Sequence, residues 1–229
     1  MKKSAVFLLC FLALAGTVFA DSAPSGMQFS LNAANDGVVI TKYNGTSLKL
    51  LVPGDIEGFP VTEIGANAFA GGTINEITLP PTLKIIGEGA FSKSRLTKIA
   101  IPEGVTRIEK SAFEGCFNLT GVVLPSSLTS IGDSAFASSS LVAVVLPAHV
   151  SEIGAKAFAG CTRLASVTLG AYIGSIGVEA FARCGSLKTL AIPDAVKRIA
   201  FGADAFTGCK GLILATQAKL KTLGYSGGF

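Results

Sequence analysis

The dipeptide Ala-Phe returns seven times in one register, with its aromatic ring at Phe69, Phe91, Phe113, Phe136, Phe158, Phe181 and Phe206. The spacings are 22, 22, 23, 22, 23 and 25 residues. Five residues before each of the first six stands an isoleucine, from Ile64 to Ile176, and three before that a Val, Leu or Ile. Apolar triplets such as Leu96, Ile99 and Ile101 follow and run into a proline, Pro102 there and Pro80, Pro125, Pro147 and Pro193 elsewhere. A unit of this size has one apolar face and nothing of its own to bury it against, so it must stack on copies of itself. The repeat therefore predicts a solenoid with one short parallel strand per repeat.

The strand lies in the triplet. In Lys98-Ile99-Ala100-Ile101 the isoleucines point inward while Lys98 and Ala100 face out, by the period of two of an extended chain. Proline ends it, having no amide for further pairing. Ile-Gly opens a turn, and Ala-Phe is expected on a helical turn that drives the ring inward, one phenylalanine per coil. Length varies between the Phe and the next Leu, so that segment is a loop. The ends break the pattern. Gly37 to Lys42 and Leu48 to Val52 read as a hairpin around Asn44-Gly45. In the last repeat Ile199 and Phe206 are seven apart instead of five, and Gln217 to Leu223 is expected to form a short covering helix.

Residues 1–20 read as a secretory signal: Lys2 and Lys3, an apolar run from Ala5 to Ala15, then Val18-Phe19-Ala20 before Asp21. The run is too short to span a bilayer. Exported, periplasmic, secreted or surface-associated localisation follows, with no integral membrane anchor expected. Without the leader lysines, seventeen Lys and Arg stand against fifteen Asp and Glu, so no overall field attracts nucleic acid. A single histidine and no tryptophan leave little equipment for acid/base chemistry. An enzyme is not expected, nor a cofactor or metal site.

The unit Leu141 to Leu164, with Leu146-Pro147, Val150, Ile153-Gly154, Ala157-Phe158, Gly160-Cys161 and Leu164, resembles the BspA-type leucine-rich repeat of bacterial surface proteins. The entry segment Val38 to Gly65, including Ile56-Glu57-Gly58-Phe59-Pro60-Val61, is similar to that family's opening. The resemblance implies a curved leucine-rich repeat stack with capping segments at both ends. It implies recognition of macromolecules, often adhesion to host or envelope components, and no catalytic residues. The expected organisation is a signal at 1–20, an N-terminal cap at 21–60, repeats at 61–211, and a C-terminal cap with a flexible tail at 212–229.

Three motifs have plain explanations. Gly224-Tyr225-Ser226-Gly227-Gly228 matches a nucleophile-elbow pattern, but no helix can follow it and the lone His149 precedes the serine. His149 reads as a solvent-facing loop residue. Cys116, Cys161, Cys184 and Cys209 each fall three residues after a repeat phenylalanine, where Gly72, Ser94 and Ser139 stand in other coils. Position alone explains them as small buried free thiols, although Cys161 with Cys184, or Cys184 with Cys209, lie close enough in register to bridge.

The remaining surface is the outward side of the strands, the expected concave face. Its candidate binding residues are Glu76, Thr78, Lys98, Ala100, Val123, Ala143, Val145, Ser166, Thr168 and Thr189. The middle is apolar and the charges, Glu76 and Lys98, lie to one side. Such a face suits a protein partner; an apolar ligand or lipid, or a second copy, is the alternative occupant.

Overall fold

A computed structural model describes residues 23–229; the leader read at 1–20 lies outside them. The chain winds as a coil repeated along one axis, each turn carrying two short strands. The triplet strands are β6 (Glu76–Thr78), β8 (Lys98–Ala100), β10 (Gly121–Val123), β12 (Ala143–Val145), β14 (Ser166–Thr168) and β16 (Thr189–Ala191). The second strand of each coil has two residues and contains the isoleucine expected to open a turn: β7 (Ile85–Ile86), β9 (Arg107–Ile108), β11 (Ser130–Ile131), β13 (Glu152–Ile153), β15 (Ser175–Ile176) and, with Phe201 in that place, β17 (Ala200–Phe201). Neighbouring coils pair in parallel, Ile131 beside Ile153 and Ile153 beside Ile176.

The phenylalanines form the spine. From Phe69 to Phe206 successive rings are 5.1–5.4 Å apart and within 9° of parallel, and all seven are buried. Their turns are not the helical turns expected from sequence but chains of three-residue-back hydrogen bonds punctuated by left-handed residues two before and two after each Phe. Around Phe113 these are Ser111 (φ 54°) and Gly115 (φ 68°). A left-handed residue with a side chain costs roughly 1–2 kcal/mol. The cost is offset because the distortion aims alternate amides along the axis: Ser111, Phe113 and Gly115 N–H donate to the carbonyls of Asp133, Ala135 and Ala137 in the next coil at 2.7–2.8 Å. A helix would spend those amides within one coil and leave adjacent coils unjoined at this corner.

The N-terminal cap differs from the expected hairpin. β1 (Met27–Leu31) pairs antiparallel with β2 (Val38–Tyr43), while β3 (Lys49–Leu51) runs parallel to β6 on another sheet. The coil geometry explains it. β2 pairs with β5 (Phe59–Ile64), which also carries the small antiparallel partner β4 (Asp55–Ile56), so β2 and β3 are the two strands of one further coil and face different sides. Tyr43 supplies that coil's ring, 5.6 Å from Phe69, and its N–H donates to Ala68 O. The aromatic spine thus starts one coil earlier than Ala-Phe reveals.

At the other end Phe201, not Ile199, pairs with Ile176, so the five-residue spacing to Phe206 is kept. The extra residues lie between Val196 and Phe201. α1 (Leu214–Thr222) begins three residues before the expected helix and buries Thr216 and Leu220. The tail expected to be flexible instead carries Tyr225, 3% exposed. Its ring meets Phe206 edge-on at 5.3 Å, and its hydroxyl accepts from Phe206 N–H and donates to Gly228 O. The last ring of the spine would otherwise present a bare apolar face and an unpaired amide, which is why the Gly-rich segment folds back over it.

Candidate functional site: the outward face of the three-residue strands

Register puts the outward residues in two columns running across the coils. Lys49, Glu76, Lys98 and Gly121 share the first, and Leu51, Thr78, Ala100 and Val123 the second. On the farther coils the first continues through Ala143, Ser166 and Thr189 and the second through Val145, Thr168 and Ala191. Every candidate from the sequence therefore lies on this one face. The face begins one strand earlier than expected, with Lys49 and Leu51. Reading Leu48 to Val52 as half of a hairpin hid that rung; its match to the apolar triplet spacing was the available signal.

The first column is charged only at one end, where Lys49 Nζ lies 2.9 Å from Glu76 Oε2. Both side chains are well exposed, so the pair contributes little to stability. The second column carries no charge. Its valines are open to solvent, Val123 at 67% and Val145 at 69%, and Leu51 is 68% exposed. The ladder is also split here. Strands β3, β6, β8 and β10 form one sheet and β12, β14 and β16 another. The amides after the strands at Ile101, Leu146 and Leu169 donate to the next coil at 2.9 Å; among the described residues no such bond joins Leu124 to Val145. Val122 and Leu124 are correspondingly half-buried, whereas Ile99 and Val144 are buried. The two exposed valines flank this seam.

Other chemistry-bearing residues are accounted for by packing. Each cysteine thiol donates to the carbonyl of the preceding coil's phenylalanine, Cys116 to Phe91 and Cys209 to Phe181 at 3.0 Å, Cys161 to Phe136 and Cys184 to Phe158 at 3.1 Å. All four are free and buried. Burial pushes the Cys116 and Cys161 thiols above their ordinary range, and at Cys184 the hydrogen bond with Cys209 and burial both act upward. These three are therefore poor nucleophiles; at Cys209 the neighbouring Cys184 thiol acts in the opposite direction, downward. His149 is exposed, its ring stacked 5.5 Å from that of Tyr172. Ser226 follows the docked Tyr225, and helix α1 lies before it instead of after. Among the described residues no group of three or more His, Cys, Asp or Glu is placed to hold a metal ion, and no helix is long and apolar enough to cross a membrane.

The cavities lie elsewhere. Two of about 300 Å³ and 290 Å³ follow the corner where Gly132, Gly154 and Gly177 succeed the two-residue strands, and one of about 430 Å³ lies at the last coil beside Arg198, Phe201 and Gly224. None of these is lined by the outward residues of the three-residue strands.

The model of the BspA type leucine rich repeat region matches in six copies over residues 57–150 and 85–213. The crystal structure of the T. pallidum leucine-rich repeat protein TpLRR superposes with a TM-score of 0.86 at 36% identity, covering 91% of this chain and 98% of that one. A leucine-rich repeat protein from Bacteroides ovatus has a TM-score of 0.60 at 24% identity, covering 84% of this chain and 70% of that one, a likeness of fold alone. Comparison with curated proteins returns no match. With its register, its two-strand coils and these matches in agreement, the chain belongs to the BspA-type leucine-rich repeat family.

Proposed function

We propose that the chain is an exported, non-enzymatic binding module that holds a protein partner of the host or of the cell envelope against the outward face of its three-residue strands. The observation that carries this is the pair Val123 and Val145, two-thirds exposed on neighbouring coils in a column with no charge across seven strands. Backbone bonds between coils hold the strands on each side of the seam, so docking orders little within either sheet. Covering a few hundred Å² of apolar surface is worth on the order of several kcal/mol before association entropy is subtracted. An open row of exposed side chains favours a flat protein surface over a small apolar ligand.

Val123→Asp combined with Val145→Asp puts two charges in the column without touching the core. The purified variant should melt as the wild type does and lose at least about tenfold in binding to immobilised host matrix proteins and envelope fractions that wild type retains. Lys93→Ala with Arg95→Ala, in loops on another side, should retain binding. A double aspartate variant that binds as wild type does would place the working surface elsewhere, and a changed mass on size exclusion would make the face a self-association surface.

A further inference from the structure

The near-neutral total charge conceals a polarity. In a solenoid, position in sequence is position along the axis, so a block of charge in the chain is a block at one end of the molecule. Residues 23–162 carry nine Lys and Arg against eleven Asp and Glu; from Arg163 onward there are eight against three. The same end carries the most exposed large apolar side chain among the described residues, Leu214 at 82%, next to Ile213 at 49%. These two do not cover the core. Ile213 precedes helix α1 in extended conformation, with no side-chain cap, and Leu212 before it and Leu220 after it do the burying.

Cations share this end of the stack with the apolar tip. Ile213 N–H donates to Lys188 O, which sets Lys188 beside it. Lys210 stands three residues before Ile213 in the loop that enters the helix, and Lys219 and Lys221 occupy the helix's last turn. Lys188, Lys210 and Lys221 are exposed and form no ion pair among the described residues. Lys219 is 3.7 Å from Asp194. On the helix, Leu214, Ala218 and Lys221 fall at i, i+4 and i+7, on the side away from the buried Thr216 and Leu220.

We propose that this C-terminal tip docks peripherally on an anionic lipid bilayer, Ile213 and Leu214 entering the headgroup layer while Lys188, Lys210 and Lys221 lie against the negative surface. An exposed apolar pair with unpaired lysines at the same end of the stack has the chemistry of a surface-lying anchor. An acidic protein groove would take the charges, but would not need an exposed leucine at the head of them. The tip is distinct from the valine face, so the molecule would stand on the membrane by its end and keep its strands free for a partner.

Co-sedimentation of the mature chain with vesicles tests it. Vesicles of phosphatidylcholine with about one third phosphatidylglycerol should bring the protein down at low salt, and vesicles of phosphatidylcholine alone should not. Ile213→Ser with Leu214→Ser should lower the partition coefficient on the order of tenfold or more. Lys188→Ala with Lys210→Ala should lower it roughly fivefold for each lysine removed. Lys93→Ala with Arg95→Ala, which removes as much charge several coils away, should leave it unchanged. Failure of the wild type to sediment with anionic vesicles, equal binding to neutral ones, or an equal loss in the Lys93/Arg95 variant would overturn the proposal. All substituted side chains are exposed, and matching circular dichroism confirms that each variant is folded; if the serine pair is not, the lysine pair decides.

Discussion

Phe136→Ala should destabilise the protein by about 3–5 kcal/mol. The ring is fully buried in the middle of the spine, 5.2 Å from Phe113 and 5.4 Å from Phe158, so its loss leaves a cavity and breaks two stacked contacts at once. For a chain of this length each kcal/mol lowers the melting temperature by about 2–4 °C, so a fall of roughly 6–20 °C is expected in a thermal scan followed by circular dichroism. Each coil touches only its neighbours, so the transition should also broaden as the two halves lose their coupling. His149→Ala, on the surface, should melt with wild type. An unchanged midpoint for Phe136→Ala would mean that the ring is not buried and that the coil register is wrong.

Gly177→Ala should cost about 1–3 kcal/mol, although it adds one methyl group. A β-carbon there would lie 2.5 Å from Ala155 N and 2.6 Å from Gly154 C, backbone atoms of the preceding coil that cannot step aside. The chain itself contains the corresponding change. Gly65, Gly87, Gly132, Gly154, Gly177 and Gly202 each donate an amide hydrogen bond of 2.8 Å to the isoleucine carbonyl one coil back. In the third Ala-Phe coil Glu109 takes this place, no such bond to Ile86 is present among the described residues, and β7 and β9 pair through one residue each instead of two. Gly185→Ala is the control, since a β-carbon there meets nothing within 4 Å. Equal melting of the two variants would show that coil contact at the corner is looser than described.

Periodicity made the stack and its buried phenylalanines legible because period and packing are one constraint: a residue every 22 or 23 positions must meet its own copy. What escaped was whatever kept the structural position but changed the residue. Tyr43 holds a spine position without Ala-Phe before it, and Phe201 holds an isoleucine position, so both ends of the stack were misread. The two-residue strands were hidden for another reason. With a single inward isoleucine they are too short to show the alternation that marks an extended segment. The left-handed residues left a trace, since the position two before each Phe is Asn, Gly, Ser, Lys, Glu or Asp and never apolar. On the face, the outward direction of Val123 and Val145 followed from the period of two, whereas the seam between them depends on pairing across coils, which no single repeat records.

Whether a partner covers the valine column is decided by placing a photoreactive phenylalanine analogue at position 145, or at position 95 as the comparison, and irradiating the protein where it is bound to host matrix or envelope. Position 145 should give one discrete cross-linked protein product and position 95 none. Products from position 95 with none from position 145 would contradict the account.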